Sequence, residues 1–288
     1  MPFSELLLLL LLSAIWGASF IFMRILAPVL GPVVTADLRV LIAGVTLLPV
    51  LKMRGVDPRW RENGKRYLII GLLNSGIPFI LFSFAALYLP ASVSVIVNSM
   101  TPLFGAVGAI LWLDQKPTVR TALGIALGIA GVAVIRGGAT VPKDTMATIG
   151  LLACVLATML YGAGGIYVKK KAHDIGPLAI SAGSQLMIGI LFLPLTFLFP
   201  PRAEVTPHIL VLTAAFAILC SAVAYIIYYR LLKSLGPVKA STVTFLIPVF
   251  GFVWGALFLG ESVTLSMVIG GAIVLSAIAF VSAPAKNK

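Results

Sequence analysis

Two stretches, WGASFIFMRILAPVLGPVVTADLRVLIAGVTLLP (Trp16 to Pro49) and YGAGGIYVKKKAHDIGPLAISAGSQLMIGILFLP (Tyr161 to Pro194), carry the same punctuation at one constant offset. Trp16-Gly17 matches Tyr161-Gly162, Gly31-Pro32 matches Gly176-Pro177, Gly44 matches Gly189 and Pro49 matches Pro194, each 145 residues apart. A second set, Pro102, Phe104, Gly105, Leu111 and Leu113 against Pro248, Phe250, Gly251, Leu257 and Leu259, repeats at 146. The chain therefore reads as a tandem duplication of one unit of about that length. What the unit contains decides how its second copy is placed.

Sixty per cent of the 288 residues are hydrophobic and 10 % are charged, with a mean hydropathy of +1.11. Soluble domains are nearer half apolar and a quarter charged, so the composition points to an integral membrane protein. Crossing a hydrocarbon core of about 30 Å takes about 20 residues of helix. Stretches of that kind are expected at 4–24, 32–52, 67–88, 91–113, 118–136, 146–168, 177–199, 207–230, 237–259 and 263–282. No segment alternates with the period of two that a membrane barrel requires, so the fold class is all-α, with ten transmembrane helices. Each half, 4–136 and 146–282, then holds five crossings, and an odd number inverts the second copy relative to the first. Such five-plus-five inverted-topology repeats are a device of secondary transporters. The apolar run Leu6 to Leu12 is preceded by Glu5 and by no Lys or Arg, so it reads as the first span and not as a signal peptide.

Sixteen of the 21 Lys and Arg residues fall on the side holding both termini and loops 2–3, 4–5, 6–7 and 8–9; Lys169, Lys170, Lys171, Lys286 and Lys288 are among them. The other side carries Arg24, Arg39, Arg136, Lys143 and Arg202. Positive charge stays inside, which puts both termini in the cytoplasm of a bacterial inner membrane. The net charge of +12 is spread over short loops and forms no single basic face with interleaved aromatics, so nucleic acid is not an expected partner.

Chemistry is sparse. Cys154 and Cys220 fall within spans, and no His, Cys or carboxylate cluster offers a metal site, a cofactor site or an acid/base pair. The chain is not expected to be an enzyme. Asp37 is the one acid placed inside a span, with Arg39 two residues on. Either Arg39 snorkels to the interface while Asp37 faces an outer vestibule, or the two form a gate or proton site. Proline within a helix strips the carbonyl four residues earlier of its donor; Pro78 does this to Asn74, Pro102 to Asn98 and Pro248 to Thr244. Either these side chains mend the bends, or bare carbonyls and polar groups line a wet central cavity, with Pro102 and Pro248 hinging it. Ser75 and Ser221 occupy equivalent positions, as do Trp16 and Tyr161, which lie mid-span, away from the interfacial belt. With Phe79 and Tyr225 close by in sequence terms, such a cavity is aromatic and sparsely polar. It suits an amphiphilic or aromatic solute better than a sugar or phosphate. The small-residue pairs Gly124/Gly128, Gly251/Gly255 and Gly105/Ala109 allow close helix approach and are assigned to packing within a monomer.

The mid-span Trp16-Gly17, the Gly-Pro openings at Gly31-Pro32 and Gly176-Pro177, and the pair Pro102-Leu103-Phe104-Gly105 and Pro248-Val249-Phe250-Gly251, capped by Asp114-Gln115 and Gly260-Glu261, resemble the EamA-domain branch of the drug/metabolite transporter superfamily. The resemblance runs from about Leu6 to Val281. It implies alternating access around a central cavity, and within the branch the chain looks like bacterial exporters of the YddG type, which implies export of aromatic and other hydrophobic amino acids. The candidate substrate-binding set is Trp16, Asn74, Ser75, Phe79, Asn98, Tyr161, Ser221, Tyr225 and Thr244, with Asp37, Arg39, Pro102 and Pro248 as gating candidates. Its partners are then a small-molecule substrate and the lipid bilayer. Two alternatives stay open: an exporter of another metabolite or toxic amphiphile, and a lipid flippase-like protein.

Overall fold

The computed structural model describes residues 2–138, 141–240 and 242–282, the side chains of Pro237 and Val238 excepted. Lys286 and Lys288, counted above toward the cytoplasmic charge, lie outside the described residues. Among the described residues the chain is helical throughout, with no strand. Eight helices are long and apolar enough to cross a membrane: α1 (Phe3–Met53), α2 (Trp60–Ala85), α3 (Ala91–Trp112), α4 (Val119–Gly137), α5 (Thr145–Lys171), α6 (Pro177–Leu198), α7 (Pro207–Gly236) and α9 (Leu265–Ser282). Between the last two lies the shorter apolar helix α8, Val243–Leu259.

Helix α1 has 51 residues, which at 1.5 Å each would reach about 75 Å, more than twice a bilayer core. It does not run straight. Gly31 adopts φ +78° and ψ 160°, a backbone state open to glycine because it lacks a Cβ, and Pro32 then starts the next helical segment. The sequence match of Gly31-Pro32 to Gly176-Pro177 does not extend to conformation. Gly176 has φ −60°, because residues 172–175 already form a connection and no one-residue reversal is needed. The conformational match to Gly31 is Gly236, with φ +78° and ψ 167°, also followed by proline. The first segment of α1 continues past residue 24 to Gly31, so Arg24, expected in an outer loop, sits on the helix and donates to the Ala86 carbonyl.

Two irregularities recur at the offset read from the sequence. A π-helical turn occupies Leu72–Gly76 in α2 and another Ile218–Val223 in α7, starting 146 residues apart. Asp114 (φ 53°) and Gly260 (φ 63°), also 146 apart, end α3 and α8. Each is followed by the same reaching contact: Gln115 N–H to the Ala109 carbonyl at 3.3 Å, and Glu261 N–H to the Gly255 carbonyl at 3.0 Å.

Glycines set the helix contacts. A Cβ on Gly44 of α1 would lie 2.6 Å from the Leu186 nitrogen of α6, and one on Gly189 of α6 would lie 2.8 Å from Leu41 Cα of α1. Likewise Gly124 of α4 approaches Ala277 of α9, and Gly270 of α9 approaches Gly131 of α4. In both pairs the residue number rises on one helix as it falls on the other, so these helices pack antiparallel. A third pair links Gly17 to Gly251 and Gly162 to Gly105. Gly124 and Gly251 thus serve packing inside the chain. The largest apolar core gathers residues from α1 to α5 and from α7 to α9.

At one end, Arg66 meets Asp174 at 2.8 Å, and its guanidinium holds the Asp174 carboxyl below the usual carboxylate range. Glu5 accepts from Ser234 at 2.8 Å and faces Arg230 at 3.6 Å. At Ala91, the first turn of α3 is held by Glu261 from beyond α8, its carboxylate accepting from Ala91 N–H at 2.7 Å, Ser92 N–H at 3.0 Å and Ser92 Oγ–H at 2.6 Å.

Candidate functional site

A cavity of about 340 Å³ opens between the helices. Seven of the nine candidate binding residues line it: Trp16, Asn74, Phe79, Asn98, Tyr161, Tyr225 and Thr244. Ser75 and Ser221 do not. Both are buried within the π-helical turns, and Ser221 acts from behind the wall, through Arg39. Pro102 and Pro248 also stand outside the lining; Pro102 lies in the first turn of the Thr101–Trp112 segment of α3 and Pro248 lies inside α8.

The walls are two aromatic groups. In one, Trp16 meets Tyr225 edge-on at 6.2 Å between ring centroids and Tyr228 at 5.3 Å. In the other, Tyr161 meets Phe79 at 6.5 Å and Phe82 at 5.9 Å. The members correspond: Trp16 to Tyr161 at 145, and Phe79 and Phe82 to Tyr225 and Tyr228 at 146. Each group mixes one residue of one half with two of the other. Such ring pairs prefer edge-to-face or offset stacking and leave faces and edges turned to a flat apolar solute. Phe82 and Tyr228 escaped the sequence reading, although each stands three residues after a residue that was chosen, on the same helical face.

The proline argument holds only in part. The Asn98 carbonyl is not bare: Thr101 Oγ donates to it at 2.7 Å. Helix α3 breaks there, its two α-helical segments, Ala91–Asn98 and Thr101–Trp112, being separated by Ser99 and Met100. Asn74 sits in the π-helical turn of α2, where the hydrogen-bond register is already shifted. Its side chain lies against Gly164 of α5, in the space a Cβ would fill.

Arg39 corrects the snorkelling expectation. It is 5 % exposed and lines the cavity. Its guanidinium carbon lies 3.7 Å from the Phe79 ring centroid and 4.5 Å from that of Phe216. Nε donates to Ser221 Oγ at 3.0 Å and Nη2 to the Cys220 carbonyl at 3.4 Å. Two aromatic partners and two acceptors make the interior tolerable for a cation, so the side chain has no need to reach the interface. Asp37 does not face it as an ion-pair partner: the carboxyl is fully buried, with neither oxygen hydrogen-bonded. A broader, almost wholly apolar groove of about 490 Å³ runs along Leu11, Ala18, Leu219 and Phe258. Three of these four side chains are well exposed, and among the described residues the groove's polar groups are few, the Trp254 N–H being already given to the Ala14 carbonyl.

Among known proteins, an uncharacterized transporter YvbV of Bacillus subtilis is 29 % identical, with 97 % of this chain and 92 % of that protein covered. Protein PecM of Dickeya dadantii is 28 % identical over 93 % of this chain and 88 % of its own length. An uncharacterized inner membrane transporter YedA of Escherichia coli is 23 % identical, over 88 % and 82 %. One crystal structure of a protein, 16 % identical, superposes with a TM-score of 0.67 over 97 % of this chain and 96 % of that one; at that identity the likeness shows the fold alone. The model of the EamA-like transporter family matches twice, over residues 3–137 and 148–283. An all-helical apolar chain around an aromatic cavity, matched over both halves and akin to named transporters, belongs to the EamA-like transporter family.

Proposed function

We propose that this transporter exports small neutral metabolites, above all aromatic and other hydrophobic amino acids, from the bacterial cytoplasm by alternating access. The observation that carries the substrate class is the pair of corresponding aromatic groups, Trp16 with Tyr225 and Tyr228, and Tyr161 with Phe79 and Phe82, around one cavity. Flat apolar walls with a few amides and hydroxyls, Asn74, Asn98, Thr101 and Thr244, match a solute with one flat apolar body and one small polar head.

The break at Gly31 divides α1 into two segments, which with α8 counted supports a reading of ten crossings. With five per half, the second half is inverted. The antiparallel contacts Gly44/Leu186 with Gly189/Leu41, and Gly124/Ala277 with Gly270/Gly131, support that reading, since an axis in the membrane plane exchanges antiparallel helices. The two aromatic groups then face each other across the axis, where rocking of one half against the other exposes them alternately.

In proteoliposomes holding purified protein, labelled phenylalanine or tryptophan should equilibrate down its gradient faster than in empty vesicles. Glycine should not. Trp16→Ala and Tyr161→Ala should each weaken apparent affinity roughly tenfold per folded molecule, and melting should fall as well because both rings pack on the core. No Asp or Glu lines the cavity among the described residues, so this flux should survive a protonophore. Faster flux of glycine than of the aromatic amino acids would remove the substrate proposal.

The cytoplasmic placement of both termini is tested separately. Reporter fusions after Gly137 should be active outside the membrane, and fusions after Lys171 inside. The opposite pattern would reverse the orientation and the sidedness of every loop.

A further inference from the structure

The aromatic walls repeat across the two halves, but the charge does not. The position corresponding to Arg39 is Ser184, at an offset of 145. Arg39 is the one basic residue among the cavity-lining residues, and no acid lines the cavity with it. Among the described residues no Asp or Glu lies within ion-pair distance of Arg39. A guanidinium carries five N–H donors; those of Nε and Nη2 go to Ser221 and Cys220, and among the described residues Nη1 has no hydrogen-bond partner. The two rings and two neutral acceptors make its burial tolerable but leave the charge uncompensated, so an anion that meets it is favoured.

The approach direction is fixed as well. Phe79 and Phe216 lie against the guanidinium at 3.7 and 4.5 Å, so a ligand reaches it through its N–H edge. An in-plane, edge-on approach is the geometry of the planar carboxylate, which accepts two parallel N–H bonds from arginine. One cation matches one negative charge and would leave a phosphate dianion half neutralised. Around this point the cavity is lined by Phe79, Phe82 and Tyr161, which suits a carboxylate carried on an aromatic body.

We propose that Arg39 is the carboxylate anchor of the substrate site. The cavity thus selects an aromatic or apolar monocarboxylate, and the amino group of an amino acid is a secondary feature served by neutral acceptors. The inference rests on the cavity being the transport site. It predicts that des-amino acids are ligands, whereas amides and amines of the same body are poor ones. Ser221 is a positioning residue that holds Nε.

The test uses purified full-length protein in nanodiscs with three probes of one body: 3-phenylpropionate, 3-phenylpropionamide and phenethylamine. Binding is read as ligand-induced shift of the melting midpoint and as quenching of tryptophan fluorescence, Trp16 being in the cavity wall. In the unmodified protein the acid should bind about ten- to a hundredfold more tightly than the amide, and the amine weakest. Arg39→Gln should bring the acid-to-amide ratio close to one while leaving the amide's own affinity within about twofold. Arg39→Lys should retain a reduced preference, because a point charge remains but the planar fork is lost. A purely structural role for Arg39 would lower the melting midpoint and leave the ratio untouched. An acid-to-amide ratio near one in the unmodified protein overturns the proposal even if Arg39→Gln fails to fold, as does a ratio unchanged in Arg39→Lys and Arg39→Gln. Phenylalanine flux is measured on the same preparations. Acid-selective binding without flux counts against the transport reading alone, and flux without acid preference counts against the anchor alone.

Discussion

Gly44→Ala and Gly189→Ala should each destabilise the protein by about 2 kcal/mol, the cost of forcing one methyl group into a filled helix contact. The sign is not obvious, because alanine is the better helix former by roughly 1 kcal/mol. The obstacle decides it. At Gly44 the new carbon would meet Leu186 N at 2.6 Å and Leu186 Cα at 2.7 Å, which are backbone atoms, so α1 and α6 must move apart. At Gly189 it would meet Leu41 Cα at 2.8 Å. One separation relieves both clashes, so the double variant should lose clearly less than the two single losses added together. Gly105→Ala supplies the control: its added carbon has nothing within 4 Å, and propensity alone should leave stability equal or slightly raised. Melting midpoints of these four variants and the unmodified protein in one detergent check the set. A Gly105→Ala variant as damaged as Gly44→Ala would mean that helix contact is not what these glycines serve.

Glu261→Leu should cost about 3 kcal/mol. The carboxylate satisfies two N–H groups of the first turn of α3 and the Ser92 hydroxyl, at 2.6 to 3.0 Å, and it sits where a helix N-terminus favours negative charge. Leucine fills the space but leaves those donors unpaired, and an unpaired buried donor costs more than a hydrogen bond contributes. Glu261→Gln keeps an accepting oxygen and should lose less than half as much. Because Glu261 follows α8 while Ala91 begins α3, the contact ties the second half to the first. Trypsin should therefore cut Glu261→Leu faster than the unmodified protein. Equal melting of the Leu and Gln variants would remove the charge from the account.

The repeat was legible because glycine and proline mark places where backbone geometry tolerates little else, and punctuation of that kind survives when apolar residues are exchanged freely. Most of the cavity wall was legible for a similar reason: Trp16 and Tyr161 stand mid-span, where an amphipathic ring has no interface to reach. What failed was the placement of Arg39. In sequence it lies near the start of a span, and Phe216, which packs on its guanidinium, is 177 residues away. Nothing local announces an aromatic clamp assembled from three helices. The Asn98 carbonyl failed in a smaller way, because the hydroxyl of Thr101, three residues on, supplies the donor that Pro102 removes. The equation of Gly31 with Gly176 shows that one dipeptide serves two backbones: a single-residue reversal in the first case and an ordinary helix start in the second.

A π-helical turn is a helix holding one residue more than its hydrogen-bond register needs. Such turns begin at Leu72 and at Ile218, separated by the length of the repeated unit. An extra residue acquired independently by each half would have had several helices in which to land, at any position along them. Its presence at the same depth in both dates it: the insertion was already in the ancestral half-length chain, which then doubled with the defect in place. By the same clock, arginine at 39 and serine at 184 form a difference that arose after the doubling. The aromatic walls correspond across the halves, and the charge on one side alone makes the two sides of the cavity unequal.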